Sequence, residues 1–201
     1  FVPNYAKRLN RQQLPPNYLE TGAFLITRRA NVTENSRIGS NVSIYNMPEQ
    51  EAIDIDSYSD WIICEQRLKK KRILLRVDGH HELGMGHIYR CLTLAYNLVG
   101  HDILFVTNAR YTDGLNKLKA SFMPVKTIEN DQDLYNIIDE WQPDIFVNDC
   151  LNTEAEYILN LKARVKRVVT IEDTGSGSDC ADATINALYE DPGKHSNYFT
   201  G

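Results

Sequence analysis

The sequence predicts an α/β fold with a doubly wound parallel sheet over roughly its last two thirds. Two observations carry the prediction. From residue 72 onward, short apolar runs alternate with amphipathic stretches of helical period, and strands that are apolar throughout are those covered on both faces. The first such strand also runs into a glycine-rich turn that opens a helix, where backbone can approach a ligand closely.

The chain changes character near residue 70. Before it, strand-like pieces (Ala23-Phe24-Leu25-Ile26-Thr27 and Val42-Ser43-Ile44-Tyr45) lie among Pro, Asn and Gly. Ser57-Tyr58-Ser59-Asp60 is a capping-box pattern. The helix it opens carries Trp61, Cys64 and Leu68 at spacings of three and four, which predicts one buried face. Lys69-Lys70-Lys71-Arg72 reads as a solvated helix end, favourable to the helix dipole. The expected division is therefore residues 1–68, a basic linker at 69–72, and residues 73–201.

Beyond the linker, Ile73-Leu74-Leu75-Arg76-Val77 is the first predicted strand, followed by a helix over 86–99. Further strands are predicted at 102–107, 125–128, 144–149 and 167–171, and a sixth at 183–186. Helices over 114–122, 131–141 and 153–164 separate the second strand from the fifth. In such a sheet, ligands lie beyond the carboxyl ends of the strands. The polar residues ending the strands, including Asp149 and Asp173, are thus the ones to examine.

The first turn reads Asp78-Gly79-His80-His81-Glu82-Leu83-Gly84-Met85-Gly86-His87-Ile88-Tyr89-Arg90. Gly84 and Gly86 permit close approach, and the helix beyond offers free N–H groups to an anion or diphosphate. A dinucleotide fingerprint would need glycine at Tyr89 and an acidic end to the second strand, so NAD is not expected. No Gly-Lys-Ser/Thr follows, so this is not a P-loop. His87 falls in the first turn of the helix, where the dipole favours the neutral imidazole that a general base requires. Spacing alone leaves a second role open, a simple helix cap. Arg90 lies three residues on, on the same helical face, placed to meet a phosphate or to orient a carboxylate. His80 and His81 read as solvated loop histidines rather than metal ligands.

Ile53-Asp54-Ile55-Asp56 alternates apolar and acidic residues. In an extended segment the two carboxylates share one side, about 7 Å apart. They can share one magnesium ion with phosphates completing the shell, or simply face water on an edge strand.

Composition bounds the function. The 201 residues, 42% hydrophobic, suffice for one sizeable core or about one and a half domains. A net charge of −5 without a basic tract argues against nucleic acid and anionic membrane partners. A mean hydropathy of −0.41 and the absence of a long apolar run predict no transmembrane helix. Cys64, Cys91, Cys150 and Cys180 form no C-x-x-C pair, which fits neither a zinc site nor a disulfide framework and implies a reducing cytoplasm. No internal repeat is visible. The chain opens on Phe1 inside apparent structure and stops at Gly201, so a fragment of a longer polypeptide is expected.

Two resemblances follow from these motifs. The pattern R-x-D…G-x-G-H-x-x-R, with Phe146-Val147-Asn148-Asp149, Ile171-Glu172-Asp173, Asn186 and Phe199-Thr200-Gly201, resembles the nucleotide-sugar hydrolases of pseudaminic acid biosynthesis. That family includes spore-coat polysaccharide proteins and is similar to glycosyltransferases of the two-Rossmann (GT-B) type. The resemblance covers about 130 residues and implies the first half of a GT-B fold, with the second Rossmann domain absent. It makes His87 the catalytic base, with Asp149 or Asp173 across the cleft. Asp78, Gly84, Gly86, Arg90 and Asn186 become substrate-binding candidates.

The second resemblance rests on Arg11-Gln12-Gln13-Leu14-Pro15-Pro16-Asn17-Tyr18, Thr21-Gly22-Ala23-Phe24-Leu25-Ile26, Glu51-Ala52-Ile53-Asp54-Ile55-Asp56 and Asp60-Trp61. These resemble the C-terminal part of acylneuraminate cytidylyltransferases, which activate sialic-acid-like sugars with CTP. Gln13 departs from the aspartate that family often carries, and the CTP loop is absent. The resemblance covers about the first 66 residues. It implies a partial α/β nucleotidyltransferase tail, magnesium on Asp54 and Asp56, and a homodimer through residues 1–66. Together the two imply a piece of a bifunctional enzyme of nonulosonic acid biosynthesis, joining CMP-sugar synthesis to hydrolytic release of UDP. A GT-B glycosyltransferase and a non-catalytic dimerising module are the alternatives.

Overall fold

The computed structural model describes residues 9–14, 18–49, 51–82, 84–188 and 197–200. Residues 15–17 of the cytidylyltransferase-like motif, Leu83 of the glycine-rich turn and the closing Gly201 lie outside them. The chain forms two compact units, Phe1–Glu65 and Gln66–Gly201.

Among its described residues, the first unit has two short 3-10 turns, Arg11–Gln13 and Arg29–Asn31, and the start of helix α1 (Tyr58–Lys69). The two strand-like pieces do not become strands. Phe24 and Tyr45 bring them together, with ring centroids 5.6 Å apart, but no ladder forms between the segments. β-propensity supplies extended backbone, and a strand also needs a partner in register. The capping box at α1 is present: Asp60 Oδ2 accepts from Ser57 N at 2.8 Å, and Asp60 N donates to Ser57 Oγ at 3.3 Å. The buried face expected of this helix is absent. No α1 residue is buried; Trp61 and Leu68 are 57% and 84% exposed, because no described element covers them.

The second unit alternates strand and helix: β1 (Arg72–Val77), α2 (Gly86–Asn97), β2 (Asp102–Asn108), α3 (Thr112–Ala120), β3 (Val125–Ile128), α4 (Asp131–Trp141), β4 (Ile145–Asp149), α5 (Ala155–Lys162), β5 (Arg167–Ile171), β6 (Ala183–Asn186) and β7 (Tyr198–Thr200). All seven strands pair in parallel, in the order β3-β2-β1-β4-β5-β6-β7. This is the expected α/β Rossmann-like sheet. β7 is the addition, a three-residue edge strand too short to show a period.

Strand alternation splits the core into two layers. On one face Ile73, Leu75, Val77, Phe105 and Val147 pack with Ile88, Cys91, Leu92 and Ala95 of α2 and Leu118 of α3. On the other, Leu74, Leu104, Val106, Phe146 and Val168 pack with Leu134 and Ile138 of α4 and Ile158 and Leu161 of α5. Phe105 and Phe146 are wholly buried, and truncating either to alanine costs about 3–5 kcal/mol. Strand order reverses between β1 and β4, so the crevice at their carboxyl ends is the topological switch point.

Candidate functional site at the sheet switch point

Asp149 ends β4 opposite Val77, the last residue of β1. Its side chain is fully buried, and its partners come from one face of α2. His87 Nδ1 lies 2.7 Å from Oδ1, and Arg90 Nε donates to Oδ2 at 2.9 Å. Arg90 Nη2 donates to Oδ1 at 2.5 Å, and Cys91 Sγ reaches Oδ2 at 3.3 Å. The 87-90-91 spacing is what lets one helical turn surround a single carboxylate. Burial alone would raise the Asp149 pKa. The hydrogen bonds of His87 and Arg90, with the Arg90 charge, overcome this and hold it below the usual carboxylate range.

Arg90 Nη2 also lies 3.0 Å from Nδ1; in the tautomer that donates Nδ1–H to the ionised carboxylate, Nε2 is left as the acceptor. The His87 side chain is 14% exposed, so it opens to solvent while its partner does not. A histidine so held can exchange a proton with a group on its exposed side. Arg90 meets a carboxylate in this structure, that of Asp149. Its Nη1 also lies 3.5 Å from Oε1 of Glu172, and both acids hold the guanidinium charged against the cost of burial.

The turn leading to α2 is shaped by Gly84, whose φ of +86° suits glycine, and Gly84 N donates to His80 O at 2.7 Å. Among the described residues no side chain caps α2, and a Cβ on Gly84 or Gly86 would meet no atom within 4 Å. Among the described residues the backbone at Gly84 and Gly86 is thus open to close approach. His80 stacks on Tyr111, with centroids 4.3 Å apart.

Asp78 is committed elsewhere. It takes a two-pronged ion pair from Arg76 at 2.6 and 2.7 Å, and Oδ1 also accepts from Thr107 Oγ1 and Asn108 N. It ties the end of β1 to the end of β2. Asp173, a catalytic candidate by sequence, is fully buried and accepts from Thr153 N, Thr153 Oγ1 and Gly175 N. These contacts make it a brace between the loops after β4 and β5. Asn186 is 3% exposed and donates to Asp173 O at 3.4 Å, while its Oδ1 has no partner among the described residues.

Glu172 was missed as a site residue. It is 4% exposed, sits at a φ of +54°, and accepts from Ala187 N at 3.0 Å through Oε1. Its Oε2 is buried without a partner among the described residues. Its position just past β5 in the Ile171-Glu172-Asp173 motif was the available signal, since strand ends carry sites in this fold.

In the first unit, Asp54 and Asp56 are both exposed. Among the described residues no group of three or more His, Cys, Asp or Glu converges on a metal position, so the two aspartates are at most a partial ligand set. No described helix is long and apolar enough to cross a membrane.

No protein-family model matches the chain. An uncharacterized protein of Methanocaldococcus jannaschii is 28% identical over 132 residues, covering 64% of this chain and 27% of that protein. N-acylneuraminate cytidylyltransferase B of Danio rerio is 30% identical over 134 residues, covering 65% of this chain and 31% of that protein. The matched part thus spans less than a third of either relative's length. A match over 134 residues also exceeds the first unit, which ends at Glu65, so the likeness reaches beyond the 66 residues from which the sequence reads it. Among solved structures, MurG of Acinetobacter baumannii superposes with a TM-score of 0.52 at 12% identity, over 65% of this chain and 45% of that one. That likeness establishes the fold, a Rossmann-like α/β domain.

Proposed function

We propose that the chain is part of a nucleotide-sugar enzyme of sialic-acid-like sugar metabolism, and that its second unit carries a hydrolytic site. The observation that carries this reading is the contact of His87 Nδ1 with the buried Asp149 carboxylate at the switch point. Similarity to an N-acylneuraminate cytidylyltransferase supports the sugar class.

In the proposed reaction, His87 Nε2 takes a proton from a water molecule as its oxygen bonds to the anomeric carbon. The bond from that carbon to the diphosphate oxygen breaks, and the nucleoside diphosphate leaves with the electron pair. Asp149 stabilises the imidazolium that forms, and Arg90 keeps Asp149 ionised and in place. The open N-terminus of α2 beside Gly84 and Gly86 lies next to this base and favours developing negative charge.

The first unit would contribute to cytidylyl transfer, with Asp54 and Asp56 holding magnesium when nucleotide phosphates complete the shell. The second reading replaces water with a sugar hydroxyl, making the unit half of a glycosyltransferase. The same His87–Asp149 pair serves either acceptor. Incubating a UDP-sugar with the protein and no acceptor separates them: free sugar and UDP support hydrolysis, and intact donor supports transfer. His87→Asn should abolish most product release in the first case, by about 10²–10⁴-fold.

A further inference from the structure

Among the described residues four contacts surround the Asp149 carboxylate, two on each oxygen. Oδ1 faces His87 Nδ1 and Arg90 Nη2, while Oδ2 accepts from Arg90 Nε at 2.9 Å and from Cys91 Sγ at 3.3 Å. The reaction proposed above uses His87 and Arg90 and leaves the thiol without a part. Cys91 is wholly buried on the α2 face that packs with Leu75, Val77 and Val147, so no substrate reaches its sulfur. Burial, and next the charge and hydrogen bond of Asp149, push the thiol pKa far up and keep it un-ionised. An ionised carboxylate only accepts, so the proton in this contact is the thiol's.

The donor's identity matters because Asp149 has two tasks. It must be held in one orientation, and it must keep enough negative charge to stabilise the imidazolium of His87. Each hydrogen bond to the ionised form stabilises that form and draws charge from it. Arg90 already supplies two charge-assisted bonds. A thiol is a weak donor, so it fixes Oδ2 while drawing little more. A hydroxyl at the same helical position tends to bond the carbonyl four residues back, which here belongs to His87. The charged and titratable groups around the pair are Arg90 and Cys91 from α2, Cys150 next to Asp149 in the chain, and Glu172 past β5, which meets Arg90 at 3.5 Å. Burial pushes the Cys150 thiol up to about 12, so it adds no charge near neutral pH.

We propose that Cys91 is a positioning residue for His87: its thiol holds Asp149 Oδ2 so that Oδ1 meets Nδ1, and the proton it shares limits how strongly the carboxylate supports the imidazolium. The inference rests on the reading of His87 as general base and adds the group that sets that base's proton affinity. Removing the donor returns charge to Asp149, so the imidazole holds its proton more tightly. His87 then stays protonated to a higher pH, and the base is lost over the interval between the two values.

The test is an NMR titration of the chain with ring-nitrogen-labelled histidine, the His87 signal being the one absent from His87→Asn. Cys91→Ala and Cys91→Val bracket the volume of the thiol, and neither can donate. In both, the His87 pKa should rise by about half a unit, roughly a threefold gain in proton affinity. The acid limb of the kcat/KM profile for UDP-sugar cleavage should move to higher pH with it. A thiol that only fills space would lower the urea midpoint on removal and leave the imidazole unchanged, so wild-type His87 titration in both variants overturns the inference. The wild-type infrared spectrum needs no variant: one S–H stretching band should lie at lower frequency than the others, and coincident bands for all four cysteines overturn the inference as well. The titration needs no substrate. If the chain leaves UDP-sugars intact with and without an acceptor, the nucleotide-sugar reading fails, and the titration still decides whether Cys91 governs His87.

Discussion

His87 and Asp149 are 62 residues apart in the chain, yet Nδ1 of one lies 2.7 Å from Oδ1 of the other across the switch point of the sheet. The first prediction concerns this pair. Asp149→Asn can turn its amide NH₂ toward the ring, which moves the imidazole proton to Nε2 and removes the base. Turnover should fall about 10²–10⁴-fold, with nucleotide affinity nearly unchanged. Stability should fall by about 1–3 kcal/mol, because the hydrogen bonds from Arg90 to a charged acceptor are lost, and water reaching the one-third exposed Arg90 keeps the loss in that range. Initial rates and urea melts on the same preparations measure both. A rate equal to wild type would leave the His87–Asp149 contact a structural tie between α2 and β4.

Asp78 should behave differently, as a stability residue. Burial works to raise its pKa, but the Arg76 ion pair and the donors Asn108 N and Thr107 Oγ1 hold it below the usual carboxylate value. A group with a depressed folded pKa contributes stability that is full above its unfolded value, about 3.9, and lost as pH falls through the folded value. Urea midpoints should therefore drop below about pH 4, and more shallowly in Asp78→Asn. Asp78→Ala leaves Arg76 buried and unpaired and should cost about 3–5 kcal/mol. An Asp78→Ala protein with wild-type midpoints and impaired sugar binding would return Asp78 to the substrate-binding set.

The sheet was legible because β1, β3, α4, β5 and β6 each write their period or apolar run directly into the sequence, and the glycine turn marks where β1 meets α2. The switch point followed from strand alternation, and His87 and Asp149 from the rule that strand ends hold ligands. The hydrogen-bond commitments were not legible. Asp149 ends β4 and Asp78 follows the last residue of β1, and only the neighbours Arg76 and His87 distinguish a tie from an orienting acid. Residue type cannot show that Asp173 faces Thr153 and Gly175, nor that Glu172 beside it keeps an oxygen unpaired. In the first unit, β-branched and aromatic residues read as strands and a helical period as a buried face. Both readings presumed a covering partner, and no described element of that unit supplies one.

Magnesium should bind the first unit only with nucleotide. Asp54 and Asp56 offer two exposed carboxylates, and no third acidic, His or Cys side chain converges with them among the described residues. An octahedral ion then needs phosphate and water for most of its shell. Manganese, titrated as a paramagnetic substitute and followed by electron paramagnetic resonance, should show no tight site on the chain alone. A tight ion lost in Asp54→Asn/Asp56→Asn but present without nucleotide would contradict this.

The last prediction concerns assembly. Phe24, Leu25 and Ile26 are 56%, 47% and 87% exposed, and Val42, Ile44 and Tyr45 on the second extended segment are each at least 65% exposed. The contact between Phe24 and Tyr45 brings the two exposed apolar segments side by side at that point. Among the described residues these extended segments form no ladder, so a second copy can pair with them. The chain should therefore self-associate through residues 1–66. Light scattering across a concentration series should show a mass above the monomer, falling to the monomer in Leu25→Asp/Ile26→Asp. That variant alters only exposed positions, so its far-ultraviolet circular dichroism and melting should match wild type, separating lost association from lost folding. A wild-type chain that stays a monodisperse monomer at high concentration would show that this apolar region does not serve as an interface between copies.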